Sequence, residues 1–220
     1  MKKIYVSPSD QVKNAYAAGN TTEAIQCRQI AMLLVKALER QGLGAKTNLT
    51  GSMYERVKES NDWGADLHTC IHTNAYNEKV SGTRLFCYVM GGEGNKACKA
   101  IMARLAPITP GTSDGISARP ELYECKVPYA PTVYIEVDFH DVDEVALWII
   151  NHKEEIAEAI AHGICDYFGV EYKAPATTQD KPQESKLYRV QIGAYSVKAN
   201  AEAQLAKAKK AGFTDAFITS

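Results

Sequence analysis

The chain has 220 residues, 25 Lys and Arg against 26 Asp and Glu, and a formal net charge of −1. The apolar fraction is 45% and the charged fraction 23%, an ordinary globular composition with material for one good core and a smaller module. The absence of a basic bias disfavours nucleic acid as a main partner, and no apolar run reaches the length of a membrane span.

Residues 3–6 alternate as a first strand. The N-terminus has two lysines but no apolar stretch of signal-peptide length. The expectation is therefore synthesis in the cytoplasm without a signal peptide. Ser7-Pro8-Ser9-Asp10-Gln11 is a polar turn, with Pro8 stopping the ladder. After a loop over 14–22, Thr22 or Thr21 can cap a helix reaching about Gln41. Its stripe is Ile25, Ile30, Leu33, Leu34, Ala37 and Leu38. Gly42 and Gly44 end it. Glu23 falls in its first turn, where the helix dipole favours a carboxylate; a simple capping charge is the commoner role there.

A second strand is expected over 45–49 and a short helix over 53–61. The stretch 64–75, Gly-Ala-Asp-Leu-His-Thr-Cys-Ile-His-Thr-Asn-Ala, reads as a buried central strand. Leu67 and Ile71 share one face; His68, Cys70 and His72 share the other. Open α/β sheets keep their chemistry at the carboxyl ends of strands. His72 is thus either a metal ligand or acid/base group, or a histidine hydrogen-bonded at a sheet edge. Residues 82–90 are rich in β-formers, and a helix is expected over 95–105. The stretch 107–128 is full of turn residues and has no period, so it reads as a long loop of functional interest. The last strand spans 131–140. Val133, Ile135, Val137 and Phe139 share one face and Glu136, Asp138 and His140 the other. Three ionisable groups on a buried strand must be paired or employed. One or two amphipathic helices follow over 142–168.

Alternating strands and helices define an α/β domain, a mostly parallel central sheet with helices on both faces, over 1–170. A polar, Pro-containing linker covers 171–186. Residues 187–220 read as a partial βαβ module, with strands at 187–195 and 213–218 around a helix at 199–211. At 34 residues it is small for an independent core. The six cysteines, Cys27, Cys70, Cys87, Cys98, Cys125 and Cys165, form no C-x-x-C pair, so reduced and mostly buried thiols are expected.

Glu23, His72 and Glu136 each fall at a helix start or toward a strand end, places that converge on one crevice in an open α/β sheet. Two carboxylates and a histidine suit a zinc hydrolase, since zinc takes N and O ligands and a further carboxylate serves as base. The order of motifs then resembles a known family. A strand with a Pro turn is followed by Glu at a helix start and Asp-Leu-x-x-x-Ile-His-x-Asn-Ala. Gly-Thr then opens a strand, and Pro-x-x-x-Ile-Glu-Val-x-Phe closes the series. Together they resemble the zinc-dependent N-acetylmuramoyl-L-alanine amidases of the amidase 3 type, over residues 3–168. The resemblance implies Glu23 and His72 as zinc ligands and Glu136 as the catalytic carboxylate. The substrate it implies is the amide joining N-acetylmuramic acid to L-alanine in peptidoglycan, with the loop 107–128 shaping the peptide groove.

One departure stands out. Where the family has a third ligand in Asp-Pro-Gly-His-Gly, this chain has Ser7-Pro8-Ser9-Asp10-Gln11. His140 is the expected replacement if the chain bends after Phe139, because four extended residues span about 13 Å; Asp10 is the alternative. The tail, through Tyr-Arg-Val-Gln-Ile-Gly-Ala-Tyr-Ser and an Ala-rich helix, resembles the first half of a SPOR domain, which implies peptidoglycan as partner. The whole reads as a cell-wall lytic amidase, of phage, prophage or bacterial origin, acting on the wall after release. The alternatives are a non-catalytic wall-binding protein on a decayed amidase fold and, more distantly, a zinc carboxypeptidase.

Overall fold

The structure is a computed structural model that describes residues 1–175, 192–213 and 216–218. The chain divides into two compact units, Met1–Pro175 and Ala176–Ser220. In the first, six strands form one sheet in the order β2-β1-β3-β6-β4-β5. They are β1 (Lys3–Pro8), β2 (Gly44–Thr47), β3 (Leu67–Asn74), β4 (Arg84–Cys87), β5 (Gly115–Ala118) and β6 (Thr132–Phe139). The first four in spatial order run parallel; β4 pairs antiparallel with β6, and β5 pairs parallel with β4.

One face carries the apolar core. Ile4, Val6, Leu67, Ile71, Val133, Ile135 and Val137 pack in a single buried cluster with residues of the helices α1 (Glu23–Arg40), α3 (Glu93–Leu105), α5 (Asp143–Asn151) and α6 (Lys153–Phe168). The period-2 alternation of the central strands dictates this, since every other residue must point to the same layer. The opposite face is thinner and more polar. Cys70 and Tyr134 meet Cys125 there beneath α4 (Tyr123–Lys126), and α2 (Met53–Trp63) lies over β1, its Glu59 accepting from the Tyr5 hydroxyl at 2.6 Å.

The expected elements are present with shifted edges. In α1, Thr22 is the N-cap residue but its hydroxyl makes no capping bond. The buried stripe runs through Cys27, Ile30, Ala31, Leu34, Ala37 and Leu38, whereas Ile25 is 45% exposed. Ile25 lies two residues before Cys27, about 200° away around the helix, and so cannot share its face. Helix α2 extends to Trp63 behind a capping box of Ser52 and Glu55, and left-handed Gly64 closes it. The expected 142–168 helical region is two helices, broken at His152. The 107–128 stretch is not a bare loop: it contains β5 and α4, each of four residues and too short to show a period. All six cysteines are buried free thiols.

The domain extends past Val170. Backbone atoms of Lys173 bond the Gln41 side chain, and its carbonyl also accepts from Arg40 Nε at 3.1 Å. In the second unit, α7 (Lys198–Lys210) stands where a helix was expected. The described parts of the two flanking stretches, 192–195, 213 and 216–218, carry no strand; the remainder lies outside the described residues.

Asp138 shows how one buried carboxylate is satisfied structurally. It accepts from the backbone N–H of Gly82 at 2.6 Å, Gly111 at 3.1 Å and Phe139 at 2.7 Å. The two loops approach so closely that a Cβ on Gly111 would stand 2.0 Å from the Gly82 nitrogen. Asp138→Ala leaves these donors without their acceptor, and the expected loss of stability is on the order of 3 kcal/mol. Urea unfolding of the variant beside the parent measures it.

Candidate active site

Strands β1, β3 and β6 end at one rim of the sheet. His72 on β3 is the register partner of Glu136 on β6, so the two side chains emerge next to each other on the polar face. Glu23 reaches the same point from the first turn of α1. Its Oε1 accepts from His72 Nδ1 at 2.8 Å, and its Oε2 accepts from Asn14 Nδ2 at 2.8 Å. The Gln11 amide lies 3.5 Å from the same His72 nitrogen. Tyr134 stacks on the His72 ring with centroids 4.4 Å apart.

A second carboxylate stands on the far side of the ring. Glu124 Oε2 is 3.9 Å from His72 Nε2. Its Oε1 accepts from the Ser7 hydroxyl and lies 3.3 Å from His68 Nε2. Arg56, only 1% exposed, donates from Nε to Ser7 Oγ at 2.9 Å and places a compensating cation behind this carboxylate. In this cluster His72 Nε2, Glu136 Oε2 and His68 Nδ1 are buried without a hydrogen-bond partner.

The charges follow from this packing. Burial opposes the cationic form of His72, but the carboxylates of Glu124, Glu23 and Glu136 outweigh it and raise its pKa to about 10. Burial pushes Glu136 up to about 7, with His72 opposing and Glu23 reinforcing. Burial also works against ionised Glu124, yet His68 and His72 hold it well below the usual carboxylate range. Glu23 is likewise lowered, burial being overcome by His72 and Asn14.

Three of the residues singled out in the sequence, Glu23, His72 and Glu136, therefore come together. The two third-ligand candidates make hydrogen bonds with other residues. The Asp10 carboxylate accepts from the Met53 N–H at 3.0 Å, at the start of α2, and pairs with Arg56 at 3.3 Å. His140 Nδ1 is 2.9 Å from Thr73 Oγ1, and its ring stacks on Tyr16 with centroids 4.8 Å apart. No hydrogen bond or ion pair joins either residue to Glu23 or His72. Glu124 was not singled out in the sequence, because it lies in the aperiodic stretch; its only local signal is a charge between Tyr123 and Cys125 in an apolar turn.

Two donor sets could hold a metal ion. His72 Nδ1 and Glu23 Oε1 converge, with Glu136 and its unpaired Oε2 beside them, a nitrogen and oxygen set of the kind zinc takes. His68, Cys70 and Glu124 also bring one ligand atom each within 4.8 Å of the others.

Comparison with known proteins defines the class. The family model of N-acetylmuramoyl-L-alanine amidase, amidase 3, matches residues 9–166, and that of the SPOR domain matches residues 177–220. The chain belongs to the amidase 3 family. It is 26% identical over 222 residues to the sporulation-specific N-acetylmuramoyl-L-alanine amidase of Bacillus subtilis (strain 168), covering 97% of this chain and 83% of that one. It is also 26% identical to the N-acetylmuramoyl-L-alanine amidase CwlM of Bacillus licheniformis, over 99% of this chain and 85% of that one. The catalytic domain of CwlV from Bacillus (Paenibacillus) polymyxa shares the fold, with a TM-score of 0.71 at 18% identity, over 78% of this chain and all of that one.

The charge arrangement makes a prediction for the protein stripped of metal. Glu136 has its folded pKa raised from 4.5 to about 7 and His72 from 6.5 to about 10. In both cases the protonated folded form is favoured, so stability is lost as pH rises, through Glu136 between 4.5 and 7 and through His72 between 6.5 and 10. Thermal melts in chelator should fall steadily from pH 5 to pH 9. Zinc held by His72 would reverse the trend, because a ligating imidazole gives up a proton.

Proposed function

We propose that this chain is a zinc-dependent N-acetylmuramoyl-L-alanine amidase acting on the amide between the lactyl group of N-acetylmuramic acid and L-alanine. The reading is carried by one observation: a buried carboxylate oxygen of Glu136 with no partner, beside the Glu23–His72 pair. Glu23 and His72 would hold the metal. When bound, zinc supplies Lewis-acid polarisation of the amide carbonyl and makes water a better nucleophile.

The protein's own residues do the rest. Glu136 accepts a proton from the attacking water as its oxygen bonds to the carbonyl carbon. As the C–N bond breaks, Glu136 passes that proton to the departing L-alanine nitrogen. Its raised pKa suits a group that must take a proton and return it. Tyr134, stacked on His72, limits water access from that side of the ring. The partner is peptidoglycan, supported by the matches to both family models, and the site of action is the cell wall. No described helix is long and apolar enough to cross a membrane.

The third protein ligand, His140 or Asp10 in the sequence reading, is tested by making His140→Ala and Asp10→Ala in parallel: the ligand weakens zinc retention and the bystander does not. Glu136→Gln tests the base. It keeps the shape but not the basicity, so fold and zinc content should persist while turnover of a muramoyl-peptide falls by roughly 10²-fold or more. Near-normal turnover in a folded Glu136→Gln protein would remove this residue from the chemistry.

We assign wall attachment to the segment matched by the SPOR model and catalysis to the first unit, which extends to Pro175. Cutting after Pro175 should therefore leave hydrolysis of small soluble muropeptides unchanged. Binding of the cut protein to whole sacculi, measured by co-sedimentation, should be weaker.

A further inference from the structure

The Glu124 cluster is a buried polar feature beside the site that the amidase reading does not use. Glu124 is 2% exposed and comes from the four-residue helix α4. Its carboxylate is fixed on one oxygen by the Ser7 hydroxyl and His68 Nε2, and Arg56 holds Ser7 from behind. The other oxygen lies 3.9 Å from His72 Nε2, an ion-pair distance, and that nitrogen makes no hydrogen bond. His72 thus lies between two carboxylates, with Nδ1 toward Glu23 and Nε2 toward Glu124.

We propose that Glu124 is the positioning residue of the metal site: it holds the proton of His72 on Nε2 and so leaves the Nδ1 lone pair free, beside Glu23, for zinc. The inference rests on the zinc reading given above. A neutral imidazole carries one proton, and a hydrogen-bond acceptor at one nitrogen decides which nitrogen keeps it. A carboxylate behind a ligating histidine also raises its basicity and fixes its ring. The Tyr134 stack fixes the ring plane as well, so the ring's tilt is set before metal arrives, and the proton given up on binding is the one on Nδ1. In this assignment Glu124 is not a ligand. Its Oε1 is already committed to Ser7 and His68, and the Arg56 guanidinium behind it disfavours a second cation in the His68–Cys70–Glu124 cluster.

Zinc affinity of the full chain, measured by competition with a chromogenic chelator, tests the proposal in the parent and in Glu124→Gln, His72→Ala and Cys70→Ala. Glu124→Gln, which keeps an oxygen for Ser7, should bind zinc about 10- to 100-fold more weakly while its melting transition in chelator remains cooperative. His72→Ala should lose zinc, and Cys70→Ala should keep parental affinity. A folded Glu124→Gln protein with affinity within about twofold of the parent would overturn the positioning role and leave the zinc reading intact. Cys70→Ala losing zinc as completely as His72→Ala would make Glu124 a ligand of the other donor set and overturn the role as well. A parent chain without zinc affinity would overturn both readings together. If Glu124→Gln does not fold, nitrogen-15 NMR of the zinc-loaded parent decides: a proton on Nε2 of His72 is expected, and a proton on Nδ1 overturns the assignment.

Discussion

An imidazole buried between carboxylates is the interaction on which the rest of this site depends. Placing His72, Glu23, Glu124 and Glu136 together out of water is costly unless each charge meets an opposite one. The sheet makes the meeting possible because β3 and β6 are adjacent and parallel, so His72 and Glu136 share a register position. Helix α1 adds Glu23 in its first turn, and α4 adds Glu124 from the opposite side. The excess of negative charge has two consequences. His72 is held as a cation without metal, and the cluster carries a standing attraction for a divalent ion.

Much of this was legible in the sequence, and the reason is periodicity. Strands of eight residues reveal which side chains share a face, so Leu67 and Ile71 separated from His68, Cys70 and His72, and Glu136 separated from Ile135 and Val137. The order of Glu23, His72 and Glu136 along the chain then matched a family pattern. Glu124 left no such trace, because a single helical turn inside 107–128 is shorter than any period that could be read. Its partners are also remote, Ser7 lying 117 positions away and His68 56. Ile25 illustrates the opposite failure: a stripe of near-helical spacing included it in the core, while the helical angle to Cys27 turns it to solvent.

The altered first motif takes on a structural meaning. Asp10 is not left idle at the site; it caps the start of α2 and pairs with Arg56. Ser7, at the end of β1, links that same Arg56 to Glu124. The segment 7–10 is therefore tied through one arginine to both α2 and the Glu124 carboxylate.

Strand β6 concentrates several duties on consecutive alternate positions. Glu136 stands beside His72, Asp138 two residues later ties together the Gly82 and Gly111 loops, and His140 beyond it holds Thr73 and Tyr16. The intervening Val137 and Phe139 are buried. Inserting or deleting one residue between Thr132 and Glu136 would exchange the two faces and send Glu136 into the apolar layer. Descendants of this chain can thus change the composition of β6 but not its length, while insertions are better accommodated at exposed turns such as 76–79, which make fewer such demands.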